Sequence, residues 1–146
     1  MADQDRFARS IQVVARGLAR LNRERARSGD ITPQQAETLQ LIAERAAVST
    51  STLAAILGID PSTASRNLAG LERAGYITRR KGTDDGRQTD VRLTPRGKRT
   101  AESVATESRH ILSTLMERLP RAERQRIADA LEVLAKIIEA NASTGA

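Results

Sequence analysis

The 146-residue sequence predicts a mainly α-helical chain carrying one small β-hairpin. Three observations support that prediction. Alanine, leucine, arginine and glutamate dominate, with one Phe, one Tyr and no Trp, a mixture that favours helices packed around an aliphatic core. Apolar residues recur at spacings of three and four over most of the chain. After residue 77 the period drops to two on both sides of a Gly- and Asp-rich turn.

Taken in order, residues 5–27 form the first predicted helix. Phe7, Ile11, Val14, Leu18 and Leu21 recur at steps of four, three, four and three, a narrow seam of the two-stranded kind. Arg9, Arg16, Arg20, Arg23 and Arg25 cover much of the remainder. Gly17 costs this helix roughly 1 kcal/mol against alanine, so packing must stabilise it. Ser28-Gly29-Asp30 breaks the pattern. Thr32 and Gln35 then have the spacing of a capping box. Ala36, Leu39, Ile42, Ala43 and Ala46 predict the buried face of a second helix that ends near Ala46. Residues 48–52 read as a polar connector, with Ser49 or Ser51 capping the third helix.

Leu53, Ile56 and Leu57 share one face of that third helix, and Gly58 supplies a left-handed stop. Asp60 is placed to cap a fourth helix, and Pro61 suits its first position, where no amide is needed. Ala64, Leu68 and Leu71 fall on one face of it; Ser62, Thr63, Ser65, Arg66 and Asn67 crowd its first turns. Small hydroxyls, an amide and an arginine suit a DNA major groove, which makes residues 53–71 a helix-turn-helix candidate. Amphipathic helices joined by a glycine turn also occur in many all-helical proteins, so the motif needs support from the rest of the chain.

Gly75 stops the fourth helix, and alternation begins. Ile77, Arg79 and Lys81 alternate with Thr78 and Arg80; Val91 and Leu93 alternate with Asp90, Arg92 and Thr94. The turn Gly82-Thr83-Asp84-Asp85-Gly86-Arg87 joins the two runs into a hairpin whose outward positions are mostly basic. Thr94-Pro95 repeats the cap-plus-proline start, and a helix follows over 95–118 with Val104, Ser108, Ile111, Leu115 and Leu119 as its apolar face, flanked by Leu112 and Met116. Pro120 interrupts it. A last helix over 121–140 carries Ile127, Leu131, Leu134 and Ile138, and the tail 141–146 is expected to fray. The seams at the two ends could complete a monomeric core. They could also pair two copies, as reading two half-sites on one face of DNA requires.

Charge supplies the support. The chain carries a net +6, and residues 66–99 alone hold ten basic and four acidic side chains. Such a concentrated field points to a polyanion, nucleic acid first. No cysteine is present, which excludes disulfides, thiolate metal sites and thiol redox sensing. No apolar run reaches membrane-spanning length and the start lacks a leader pattern, so a soluble, cytoplasmic protein without a membrane partner is expected. His110 stands alone as a surface or packing residue, Asp84 and Asp85 diverge in a tight turn, and no phosphate loop, nucleophile elbow or zinc-spaced cluster occurs. The expectation is no enzyme, no metal and no cofactor.

At this point the residues resemble a known family. Asp85-Gly86-Arg87-Gln88-Thr89-Asp90-Val91-Arg92-Leu93-Thr94-Pro95-Arg96-Gly97 is similar to the wing of the MarR family of bacterial transcription regulators, with its Asp-x-Arg tip, apolar-x-Leu-Thr strand end and Pro-x-Gly helix start. Leu71-Glu72-Arg73-Ala74-Gly75-Tyr76-Ile77 resembles the family's passage from recognition helix to first wing strand. The resemblance covers about residues 5–140. It implies a winged helix-turn-helix flanked by N- and C-terminal dimerisation helices. Residues 31–99 would bind DNA, and 1–30 with 100–146 would form the dimer within one merged domain.

The resemblance further implies a bacterial, cytoplasmic, nucleoid-associated homodimer that binds a pseudo-palindromic operator on double-stranded DNA, mostly to repress. Carried over by position, Ser62, Thr63, Ser65 and Arg66 face the major groove, while Arg87, steered by Asp85, enters the minor groove. An arginine at a hairpin tip also suits a narrow, strongly negative minor groove on physical grounds. Asn67 joins the same helix face. Arg79, Arg80, Lys81 and Arg92 fit phosphate contacts that position without specifying, and Arg66 fits either a bidentate guanine contact or a phosphate contact. The dimer seams are Phe7, Ile11, Val14, Leu18 and Leu21 at one end and Ile127, Leu131, Leu134 and Ile138 at the other. A small-molecule effector is common in the family; its identity here is unknown, and with only Phe7 and Tyr76 aromatic an aromatic-lined pocket is not expected. Two rival readings are a protein-interaction adaptor that retains the fold and a sequence-neutral architectural DNA binder.

Overall fold

The computed structural model describes residues 1–26, 30–45, 48–81 and 89–144. Its elements are α1 (Ala2–Ala26), α2 (Pro33–Glu44), α3 (Thr50–Leu57), α4 (Pro61–Arg73), β1 (Ile77–Lys81), β2 (Thr89–Leu93), α5 (Pro95–Glu117) and α6 (Arg121–Thr144). The chain divides into two compact units, Met1–Glu37 and Thr38–Ala146.

In the first unit, α1 leaves Phe7, Val14 and Leu18 exposed while Ile11 and Leu21 are half-buried. The start of α2 is fixed by a reciprocal pair of bonds. Gln35 N–H donates to Thr32 Oγ1 at 3.1 Å, and Thr32 N–H donates to Gln35 Oε1 at 3.0 Å. Two backbone donors that the helix cannot satisfy internally are thereby paired.

The second unit holds the core. Leu39, Ile42, Leu53, Ala54, Ala64, Leu68, Leu71, Tyr76, Ile77, Val91 and Ala101 are buried. Ser49 caps α3 through the Thr52 amide, and Gly58 ends it at φ 64°. Pro61 stands in the first turn of α4 as expected, but the Asp60 side chain accepts no capping bond. Gly75 (φ 80°) follows α4 and donates to the Glu72 carbonyl, while the Tyr76 amide returns to Leu71. β1 and β2 pair antiparallel, with Ile77 opposite Leu93, Arg79 opposite Val91 and Arg80 opposite Asp90. Thr94 caps α5 through the Gly97 amide at 3.1 Å. A side chain at Gly97 would collide with the Tyr76 carbonyl, so the Pro-x-Gly start lets α5 lie against the α4–β1 link. Arg96 closes the same junction, donating to the Ala74 carbonyl at 2.6 Å and lying 4.4 Å over the Tyr76 ring.

Several sequence expectations need correction. The second helix ends at Glu44, and its buried face is Thr38, Leu39 and Ile42; Ala43 is exposed, and Ala46 lies outside the described residues. Val48 is no polar connector residue. It is buried and bridges to Val91, adding a third edge to the hairpin. The last helix continues through Thr144 instead of fraying at 141. α5 stops at Glu117 before Pro120, and Arg124 reaches back to the Glu117 and Leu119 carbonyls at 2.7 and 3.2 Å, satisfying orphan acceptors at the helix end. Along α5, Leu112, Leu115 and Met116 are exposed, as are Val133, Ile137, Leu131 and Ile138 on α6, the last two by 55% and 58%. Ile127 and Leu134 are half-buried.

Candidate nucleic-acid interface

The second unit presents α4 and the hairpin as neighbouring features, because the α4–β1 link is short and pinned at Gly75, Tyr76, Thr94 and Arg96. Burial of Ala64, Leu68 and Leu71 decides which face of α4 is left outward. Ser62, Ser65 and Arg66 are exposed on it and Thr63 is half-buried. Arg66 donates to Thr63 Oγ1 at 3.3 Å, which holds the guanidinium along the helix surface. Asp60 forms no side-chain cap, so first-turn amides of α4 remain open to an anionic oxygen.

Asn67 goes the other way. Its Nδ2 donates to Thr38 Oγ1 at 3.0 Å, tying α4 to α2 across 29 residues. Of the five polar residues expected at a groove, the structure therefore groups four on the open face and turns one into the scaffold.

The hairpin makes a similar division. Residues facing each other across an antiparallel pair share a face, so Arg79 belongs with Ile77, Val91 and Leu93 on the inner side. It is half-buried, and its Nε donates to Glu72 Oε2 at 2.8 Å. The outward residues are Thr78, Arg80, Asp90 and Arg92. Arg80 is exposed and opposite Asp90; Arg92 is exposed and donates to Asp90 Oδ2 at 3.0 Å. The wing-tip residues Asp85 and Arg87 lie outside the described residues, as does the side chain of Lys81.

Sequence reading missed Glu72, Asp90, Thr38 and Arg96, which orient these cations and this helix. Glu72 lies seven residues before Arg79, and only the strand parity of Arg79 hinted that the arginine needed an inner partner. A cleft of about 480 Å³ opens beside β2, lined by Ile42, Ala43, Leu93 and Ala101 together with Arg45, Arg92, Lys98 and Glu102. Among the described residues, no cluster of His, Cys, Asp or Glu could hold a metal ion. Among them, too, no helix is long and apolar enough to cross a membrane.

Comparison with known proteins places this geometry. The sequence profile of the MarR family matches residues 31–89, the stretch from the capping box to the start of β2. The chain is 31% identical over 111 residues to the HTH-type transcriptional regulator FarR of Neisseria gonorrhoeae, spanning 76% of each protein. It is also 31% identical over 101 residues to the uncharacterized HTH-type transcriptional regulator YdgJ of Bacillus subtilis, spanning 69% of this chain and 62% of that protein's length. Streptococcus pneumoniae FabT, solved in complex with DNA, superposes with a TM-score of 0.77 at 19% identity, over 93% of this chain and 97% of that one. The fold is a winged helix.

Proposed function

The chain belongs to the MarR family, and on that premise we propose that it is a sequence-specific DNA-binding transcription regulator, a repressor, acting as a homodimer on a pseudo-palindromic operator. The family and fold are those of regulators, not enzymes, and we assign the chain no catalytic role. The observation that carries this reading is the pairing of an open polar helix face with a basic hairpin fastened beside it: Ser62, Ser65 and Arg66 on α4, Arg80 and Arg92 on the strands.

In mechanism, Arg66 reads guanine O6 and N7 through its two parallel donors. Ser62 and Thr63 at the open α4 terminus hold a phosphate, and the outward Arg80 and Arg92 fix register on the backbone. Arg87, steered by Asp85, fills the adjacent minor groove. Residues 31–99 form the DNA-binding region; 1–30 and 100–146 form the dimer, through the partly exposed apolar seams of α1 and α6. The cleft beside β2, where three cations and one carboxylate stand against apolar carbon, is where we place a small anionic effector of unknown identity. The adaptor and architectural readings make no use of an outward helix face so suited to bases.

Titration of a palindromic duplex against salt tests the proposal. If a dimer neutralises about eight phosphates, log K against log salt falls with a slope of about −7. A scrambled duplex must bind more weakly throughout. A flat salt dependence, or equal affinity for scrambled DNA, would overturn it.

A further inference from the structure

Opposite its apolar seam, α1 carries a second stripe. Arg9, Arg16, Arg20 and Arg23 project within a sector of about 60° on a helix of 3.6 residues per turn. Phe7, Ile11, Val14, Leu18 and Leu21 occupy the facing sector. All four arginines are exposed, and none forms an ion pair or side-chain hydrogen bond among the described residues. Among the described residues, the ion pair within α1 is Arg6 to Asp3 at 3.4 Å, off this stripe. Asp5 and Glu24 stand at its ends, leaving the middle of the helix without a carboxylate. A solvated helix surface ordinarily interleaves both signs at i, i+4; here one sign runs for about 21 Å, at 1.5 Å per residue.

We propose that this stripe is a second, sequence-neutral DNA-binding surface, taking the phosphodiester backbone of duplex outside the operator core. The chemistry favours phosphate. Every basic residue of α1 is arginine, whose planar fork pairs bidentately with phosphate oxygens. The stripe's length matches about six phosphates of one strand, at 3.4 Å per phosphate along the axis. Because the seam and the stripe point in opposite directions from one helix, covering the seam with a second copy leaves the arginines outward.

The test compares wild type with a variant carrying Arg9→Gln, Arg16→Gln, Arg20→Gln and Arg23→Gln. Glutamine keeps helix propensity, and circular dichroism with gel filtration confirms the fold. A quadruple Arg→Lys variant separates charge from shape. Three probes are used: a duplex limited to the operator core, a 60-base-pair duplex (a length of about two further turns on each side) with the operator at its centre, and the core duplex plus a separate random duplex. With either longer or added DNA, the wild-type salt slope steepens by about 3 to 4 for each engaged stripe. The Gln variant loses that increment and keeps core binding, and the Lys variant retains most of it. An increment on the long duplex identifies flanking DNA; one seen only with added duplex identifies a second molecule, and both support the proposal. Equal slopes for wild type and Gln variant on every probe overturn it. So does loss of binding to polyglutamate with DNA binding unchanged, which assigns the stripe to an acidic protein. The inference is separable from the operator reading: core preference can fail while the increment survives, and the reverse.

Discussion

Arg79 on β1 and Glu72 on α4 form an ion pair of 2.8 Å, with side chains 26% and 39% exposed. The pair fastens the first wing strand to the last turn of the recognition helix. On the proposed function its consequence for binding is geometric: it fixes the angle between α4 and the wing strand that would meet DNA.

A double-mutant cycle over Glu72→Ala and Arg79→Ala is therefore expected to give a coupling of about 0.5–1 kcal/mol in stability, small because both groups still meet solvent. Each single variant weakens operator binding without changing the salt slope. A slope reduced by about 1 in Arg79→Ala would mean the arginine reaches a phosphate after all.

Asn67→Ala removes the hydrogen bond to Thr38 and should cost about 1 kcal/mol of stability. Thermal unfolding measures that loss, and base preference at each operator position should stay as in wild type. A change of preference confined to one base pair would return Asn67 to the groove.

Gly97→Ala and Gly17→Ala make opposite predictions from the same substitution. At Gly97 the new Cβ meets the rigid Tyr76 carbonyl, so overpacking of about 3 kcal/mol or more is expected. At Gly17 nothing lies within 4 Å, and the helix should gain roughly 1 kcal/mol. Unfolding midpoints that shift in the same direction would contradict the placement of one of the two.

What the sequence made legible was local. Thr32 with Gln35, Ser49 with Thr52 and Thr94 with Gly97 each lie three residues apart, within reach of a pattern. The left-handed glycine at 58 and the two hairpin strands were equally readable. What escaped was set by packing between distant segments. Val48 looks like linker until Val91 is beside it. Asn67 looks like a base reader until Thr38 is beneath it. Arg79 was hidden by its neighbours: in the run Arg79-Arg80-Lys81 every residue looks outward, whereas period two sends Arg79 to the side of Ile77.

The apolar residues of α6, exposed at Leu131 and half-buried at Leu134, supply a prediction about assembly. Replacing Leu131 and Leu134 together with glutamate should give monomers or unfolded chain by analytical ultracentrifugation, since these positions belong to the seam proposed to pair two copies. A variant that remains a DNA-competent dimer would remove the C-terminal helix from the interface.

Whether two copies of the outward helix face and its wing read DNA together is decided by selecting bound duplexes from a random pool. Enrichment of an inverted repeat is expected, its half-sites about 10–10.5 base pairs apart, centre to centre, or a multiple of that. A pool that stays random after selection, or that yields only isolated half-sites, would contradict it.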